Sequence, residues 1–350
     1  MPLSARPRES SHSLGRVRGT RSKSSASLHS VLSRLSCSIP RACKTENPNF
    51  YGCRTVLVPY CSSDLWVGNS TQGADGLAFR GRAIAMAVMR DLAARTFNPK
   101  PIPTPIGPGP SQTRLADADS ITIVGGSGIV HLLTGADGGA LASLVPAKPR
   151  RHLKVICDGC ALADVSPRVS VADQPCTSAA DCPPSTVLTT GLALWTSRPP
   201  APSAAASLLA DGLLAAVELP MLVQQPFYDA TQLKQNRAWP TSPASAAYIR
   251  AFGSTMRATL AKRPHGGWNT FGVACGPTVP ALLRDANGFF CRPVSCTLQG
   301  SNRTSRLRLA GVTSMFLRDP HFEPVCIDDC GELDCNAYCT KPSCWGADGV

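Results

Sequence analysis

ITIVGGSGIVHLLTGAD (Ile121–Asp137) runs from a β-branched stretch through Gly125, Gly126 and Gly128 into an apolar stretch compatible with a helix. A strand turning sharply into a helix at a serine is the shape of a nucleophile elbow. Its pattern is G-x-S-x-G, because side chains two residues to either side of the serine would collide. Gly125 fits the first glycine, and Ile129 stands where the second belongs. On this stretch alone Ser127 is either a nucleophile or a residue in a turn.

The segments around it alternate. TVLVPYC (Thr55–Cys61) reads as a buried strand, a short β-branched run stopped by proline and cysteine. Leu77–Arg95 reads as a helix with Phe79, Ala83, Ile84, Ala87, Val88 and Leu92 on its apolar face. A Pro/Gly loop, Phe97–Pro110, precedes the strand Ile121–Val124. His152–Asp158 and Leu219–Asp229 supply two more strands, Ala244–Lys262 a further helix and Trp268–Cys275 a last strand. This alternation predicts a mostly parallel sheet covered on both faces, with functional groups at the carboxyl ends of its strands. Ser127, Asp158, Asp229 and the residues after Cys275 fall there.

The chain has 350 residues, 43% hydrophobic, enough for one large or two modest domains. Its formal charge of +12 is concentrated in residues 1–45, where nine Lys or Arg face only Glu9. That Ser/Arg-rich stretch has no aromatics to interleave with its cations and no secretory h-region, so it is expected to be a disordered tail and not a nucleic-acid surface. Sixteen cysteines, seven of them from Cys291 to Cys344, point to disulfides in an oxidising compartment. The sequons at Asn69 and Asn302 agree. The even spacing of Cys326, Cys330, Cys335 and Cys339 is unlike paired zinc ligands and favours disulfides, so no metal is expected. No apolar run reaches the length of a membrane span.

An acyl-transfer site needs a nucleophile, a base, an acid orienting the base, and oxyanion donors. Ser127 followed by Asp229 has the hydrolase chain order, although a strand-end aspartate also reads as a helix N-cap. His265 precedes the last strand and should lie at the wrong edge; His321 lies in the Cys-rich region. His131, four residues after Ser127, is too local to serve as base.

ENPNFYGCRTVLVPYCSSDLWVGNS (Glu46–Ser70), CDGCALAD (Cys157–Asp164), PCTSAADCPPSTVLTTGLALW (Pro175–Trp195), QPFYDATQL (Gln225–Leu233) and DDCGELDCNAYC (Asp328–Cys339) together resemble the pectin acetylesterase and Notum family of secreted carboxylesterases, the Notum branch more closely. The resemblance implies an α/β fold, with an α/β-hydrolase-like mostly parallel sheet flanked by helices over residues 46–290 and a Cys-rich C-terminal segment, 291–350, of the same domain. It also implies ester hydrolysis without a cofactor, an extracellular location, and an acylated polysaccharide or acylated protein as substrate. By the same resemblance Ser127 stands at the nucleophile, Asp229 at the triad acid and Gly128 at an oxyanion amide.

The departures fall at the chemistry. The family's G-x-S-A-G-G elbow has Ile129 in place of a glycine, and in FGVACGPT (Phe271–Thr278) Thr278 occupies the place of the triad histidine. The basic tail stands where a Gly-Gly-aromatic-Cys oxyanion loop would fall. The expectation is an impaired esterase or, alternatively, an inactive family member that binds a glycan or acylated ligand.

Overall fold

The computed structural model describes residues 50, 53–54, 56–71, 77–97, 113–134, 139–176, 182–196, 209–239, 241–262, 268–274, 294–297, 304–307, 309–319, 324–331 and 333. The basic segment 1–45, Thr278, His265 and His321 lie outside them.

In chain order the elements are α1 (Gly81–Ala94), β1 (Thr96–Phe97), β2 (Thr113–Arg114), β3 (Ile121–Gly125), α2 (Ser127–Leu132), α3 (Gly139–Ser143), α4 (Ala147–Arg150), β4 (Leu153–Asp158), α5 (Pro184–Trp195), α6 (Ala210–Ala215), β5 (Met221–Pro226), α7 (Ala230–Gln235), α8 (Ala246–Ala261), β6 (Trp268–Val273), β7 (Val294–Thr297), β8 (Thr304–Leu307), α9 (Leu309–Arg318) and β9 (Val325–Ile327). Seven strands form one sheet in the order β3-β4-β5-β6-β9-β7-β8. The run from β3 to β9 is parallel, and β7 is antiparallel to both β9 and β8.

Alternate residues of each strand bury against opposite helical layers, as the period of two requires. Val155, Cys157, Met221 and Val223 pack with Val130 and Leu133 of the α2 region and with Phe252, Met256 and Leu260 of α8. Ile156, Leu222, Phe271 and Val273 face the other way, onto Leu309, Val312 and Phe316 of α9. The sheet is therefore covered on both faces, as the alternation predicted.

Three expectations need correction. Val56–Cys61 is not a strand: among the described residues β3 is the sheet's edge, so this apolar run has no ladder to join, and Val56, Leu57 and Tyr60 are exposed. In α1 the residues that pack inward are Ala85, Met86 and Met89, whereas Ile84 is exposed; the helix is turned from the expected face, with Met89 packed against the buried Ala142, Val145 and Leu153. Trp268–Cys275 is not the last strand. Trp268–Val273 is followed by three further strands and α9, whose Leu309, Val312 and Phe316 help form the second core layer.

Three disulfides join described residues: Cys157–Cys160, Cys176–Cys182 and Cys296–Cys326. Cys330 is disulfide-bonded as well. These fit the oxidising compartment read from the cysteine count.

Candidate active site

The registers Gly125 beside Cys157, and Cys157 beside Val223, align the carboxyl ends of β3, β4 and β5. Ser127 and Asp229 thus follow one sheet edge, with β4 between them. β3 leads through Gly126, whose backbone is extended (φ −79°, ψ −161°), into Ser127 as the first residue of α2. Ser127 is not among the non-glycine residues with left-handed backbone, so the turn lacks the strain of an elbow. Instead Ile129 folds back over β3: a Cβ on Gly125 would lie 3.1 Å from Ile129 Cβ. The Gly128 N–H is a first-turn amide that no helical carbonyl can reach.

Backbone strain sits nearby. Ser63, Leu65 and Trp66 have φ of 54°, 51° and 59°, each costing roughly 1–2 kcal/mol for an L-residue. What holds this turn is Asp64, fully buried, whose carboxylate accepts from Ser62 Oγ (2.5 Å), Trp66 N (3.1 Å) and Gly81 N (2.6 Å). Tyr60 Oη accepts from Leu65 N at 2.6 Å. The turn abuts α2 directly: a Cβ on Gly128 would meet Trp66 Cδ1 at 2.6 Å and the Leu65 carbonyl oxygen at 3.0 Å. The sequence pattern Cys-Ser-Ser-Asp carried this turn, but only the resemblance drew attention to it.

Asp229 is the N-cap of α7, as the simpler reading of a strand-end aspartate had it. Its Oδ1 accepts from Thr231 N (2.8 Å) and Gln232 N (3.2 Å), and Oδ2 from Gln232 Nε2 (3.2 Å) and Gln225 Nε2 (3.5 Å). Both glutamines are buried and also grip the chain leaving β4. Gln225 Oε1 accepts from Ala161 N (2.9 Å), Gln232 Oε1 accepts from Ala163 N (2.9 Å), and Gln232 Nε2 donates to Ala161 O (2.8 Å). Sequence reasoning missed this clamp, although buried amides in LVQQP should have demanded partners.

Between the strands of Ser127 and Asp229 the Cys157–Cys160 disulfide closes a turn through Gly159, whose φ is +64°. That turn faces the β3 exit, since a Cβ on Gly126 would lie 3.5 Å from the Asp158 carbonyl oxygen. A further buried carboxylate, Asp328, accepts from Ala274 N just after β6 (3.2 Å). His131 is buried, and neither ring nitrogen has a partner among the described residues; desolvation pushes its pKa down to about 4, so it is neutral at pH 7.

A family model for pectinacetylesterase matches residues 11–99. Palmitoleoyl-protein carboxylesterase notum2 of Xenopus laevis is 50% identical over 50 residues, 14% of this chain and 10% of that protein. Palmitoleoyl-protein carboxylesterase NOTUM of Schmidtea mediterranea is 29% identical over 157 residues, 44% of this chain and 26% of that protein. The crystal structure of the Wnt deacylase Notum from Drosophila superposes with a TM-score of 0.59 at 19% identity, covering 87% of this chain and 78% of that one. The chain is thus similar to the pectinacetylesterase family over residues 11–99 and, over part of its length, to the Notum carboxylesterases. Its matches span only 10% and 26% of the two curated Notum proteins, while the superposition shows the α/β-hydrolase-like fold. The family match begins at residue 11, inside the segment read from composition as a tail.

Proposed function

We propose that this chain is a carboxylic ester hydrolase of the pectin acetylesterase/Notum family whose acyl transfer is impaired. In the reaction it descends from, Ser127 Oγ attacks the ester carbonyl and passes its proton to a base. Asp229 orients that base, and the Gly128 amide donates to the oxyanion. Thr278 stands where the base belongs, and its hydroxyl accepts no proton near neutral pH. Loss of the base alone costs on the order of 10⁴–10⁶ in rate, and because triad members act as a unit little hydrolysis remains.

The observation that carries this reading is the state of the two candidate residues. Ser127 rests in an unstrained first helical turn with Ile129 packed over Gly125, and the Asp229 carboxylate is already engaged by four donors. The substrate class is an ester-linked acyl group on a protein or polysaccharide outside the cell. The names of the related proteins, palmitoleoyl-protein carboxylesterase and Wnt deacylase, favour the protein-linked acyl group. The test is hydrolysis of 4-nitrophenyl acetate and butyrate by the purified chain. Weak turnover, largely lost in Ser127→Ala, is expected. Efficient turnover rising through about pH 6–7 and abolished in Ser127→Ala would mean that a histidine base operates and would overturn the impairment.

A further inference from the structure

The exposed large apolar side chains of the described residues are concentrated in one part of the chain. Val56, Leu57, Tyr60, Leu77 and Ile84 expose 57, 59, 47, 57 and 38% of their surface. Tyr60, Leu77 and Ile84 flank a single hydrogen-bonded unit, which Val56 and Leu57 precede in the chain. Tyr60 Oη accepts from Leu65 N and its ring lies 5.2 Å from that of Trp66, centroid to centroid. Asp64 accepts from Gly81 N at 2.6 Å, Gly68 O accepts from Arg82 N at 3.0 Å, and Phe79 N donates to Ser70 O at 3.0 Å. Scattered exposed apolar residues are ordinary; five within one stretch of about thirty residues mark an interaction surface.

Charge selects the partner. Arg80, Arg82 and Arg90 of this unit are exposed. Among the described residues from 53 to 90 the one carboxylate is Asp64, which is fully buried and committed to its three donors. Among the described residues from 53 to 90 the exposed side is thus apolar and cationic, and Asp91 just beyond it pairs with Arg95 Nε at 2.5 Å. Aliphatic and tyrosyl side chains can enter the headgroup and acyl boundary of a bilayer while arginines meet its phosphates.

We propose that the Val56–Arg90 unit is a peripheral docking surface for an anionic phospholipid membrane. Its Leu65 and Trp66 rest against Gly128, so docking would set the edge that carries Ser127 next to the lipid surface. The contact is independent of whether Ser127 hydrolyses anything.

The test is sedimentation of the full chain with vesicles of phosphatidylcholine alone and of phosphatidylcholine containing about 30 mol% phosphatidylserine. Binding to the anionic vesicles, weakened by salt, is expected. Arg80→Gln with Arg82→Gln should weaken it by about 5-fold per charge removed, and Leu57→Asp by about tenfold or more. Val56→Ser with Leu57→Ser provides a second, uncharged disruption, and circular dichroism confirms that each variant folds. Equal partition into neutral and anionic vesicles, no vesicle binding, binding indifferent to all three variants, or retention by a sulfated glycan in place of vesicles would each overturn the proposal.

Discussion

The carbonyl oxygen of Leu65 lies 3.0 Å from the point that a Cβ on Gly128 would occupy. The obstacle is backbone, in a turn whose Leu65 and Trp66 are already held in the left-handed region. Gly128→Ala must therefore displace either the turn or the start of α2. A loss of about 1–3 kcal/mol is expected, read as a lower urea midpoint at unchanged slope.

Asp64 is the anchor of that turn. Asp64→Ala leaves Trp66 N and Gly81 N without their acceptor beside three strained residues, and is expected to cost about 3 kcal/mol or more. Ser62→Ala removes one donor and leaves the other two in place. It should cost about 1 kcal/mol, and chemical denaturation of the two variants separates the effects.

His131 makes stability depend on pH in a defined window. Its folded pKa, about 4, is below the ordinary 6.5, so the fold favours the neutral ring. The contribution is complete above pH 6.5 and is lost as the pH falls towards 4, because unfolding then takes up a proton. Full loss would amount to about 3 kcal/mol. His131→Leu should flatten the urea midpoint between these limits relative to the unmodified chain; identical pH profiles would refute the assignment.

Asp229→Asn keeps an oxygen for Thr231 N and Gln232 N but loses the charge, whereas Asp229→Ala loses the cap. The alanine variant should be less stable by about 1 kcal/mol and the asparagine variant by less. Thr278→His alone should recover far less than the 10⁴–10⁶ that a missing base costs. Restoring one member of a cooperative set leaves Ile129 and the glutamine-held carboxylate as they are. Steady-state kcat/KM on 4-nitrophenyl butyrate decides this.

Alkylation without reductant, followed by mass spectrometry, should leave Cys157, Cys160, Cys176, Cys182, Cys296, Cys326 and Cys330 unmodified and label Cys61. Uniform labelling would mean that the chain is reduced.

Legibility in the sequence followed locality. β3 into α2 was readable because its signals, β-branched residues then glycines then helical spacing, lie within a dozen positions. The edge shared by Ser127 and Asp229 followed from alternation alone. Val56–Tyr60 was misread because a run of β-formers predicts a strand only if a partner exists, and partners are a property of the sheet. The strands β7, β8 and β9 were missed since each has only three or four residues, too few for a periodicity to show. The glutamine clamp on Asp229 and the unstrained turn at Ser127 depend on side-chain placement that no spacing encodes.

The clamp has a kinetic consequence. Ser127 takes its backbone turn from β3 and α2, which adjoin it in the chain, whereas Gln225 and Gln232 reach Ala161 and Ala163 across 64 and 69 residues. Contacts of such separation form only after loop-closure entropy has been met. The acid side of the site is therefore completed late in folding, after the β3–α2 turn has formed, and a chain stalled before β5 docks on β4 would hold the Ser127 turn with no aspartate opposite it.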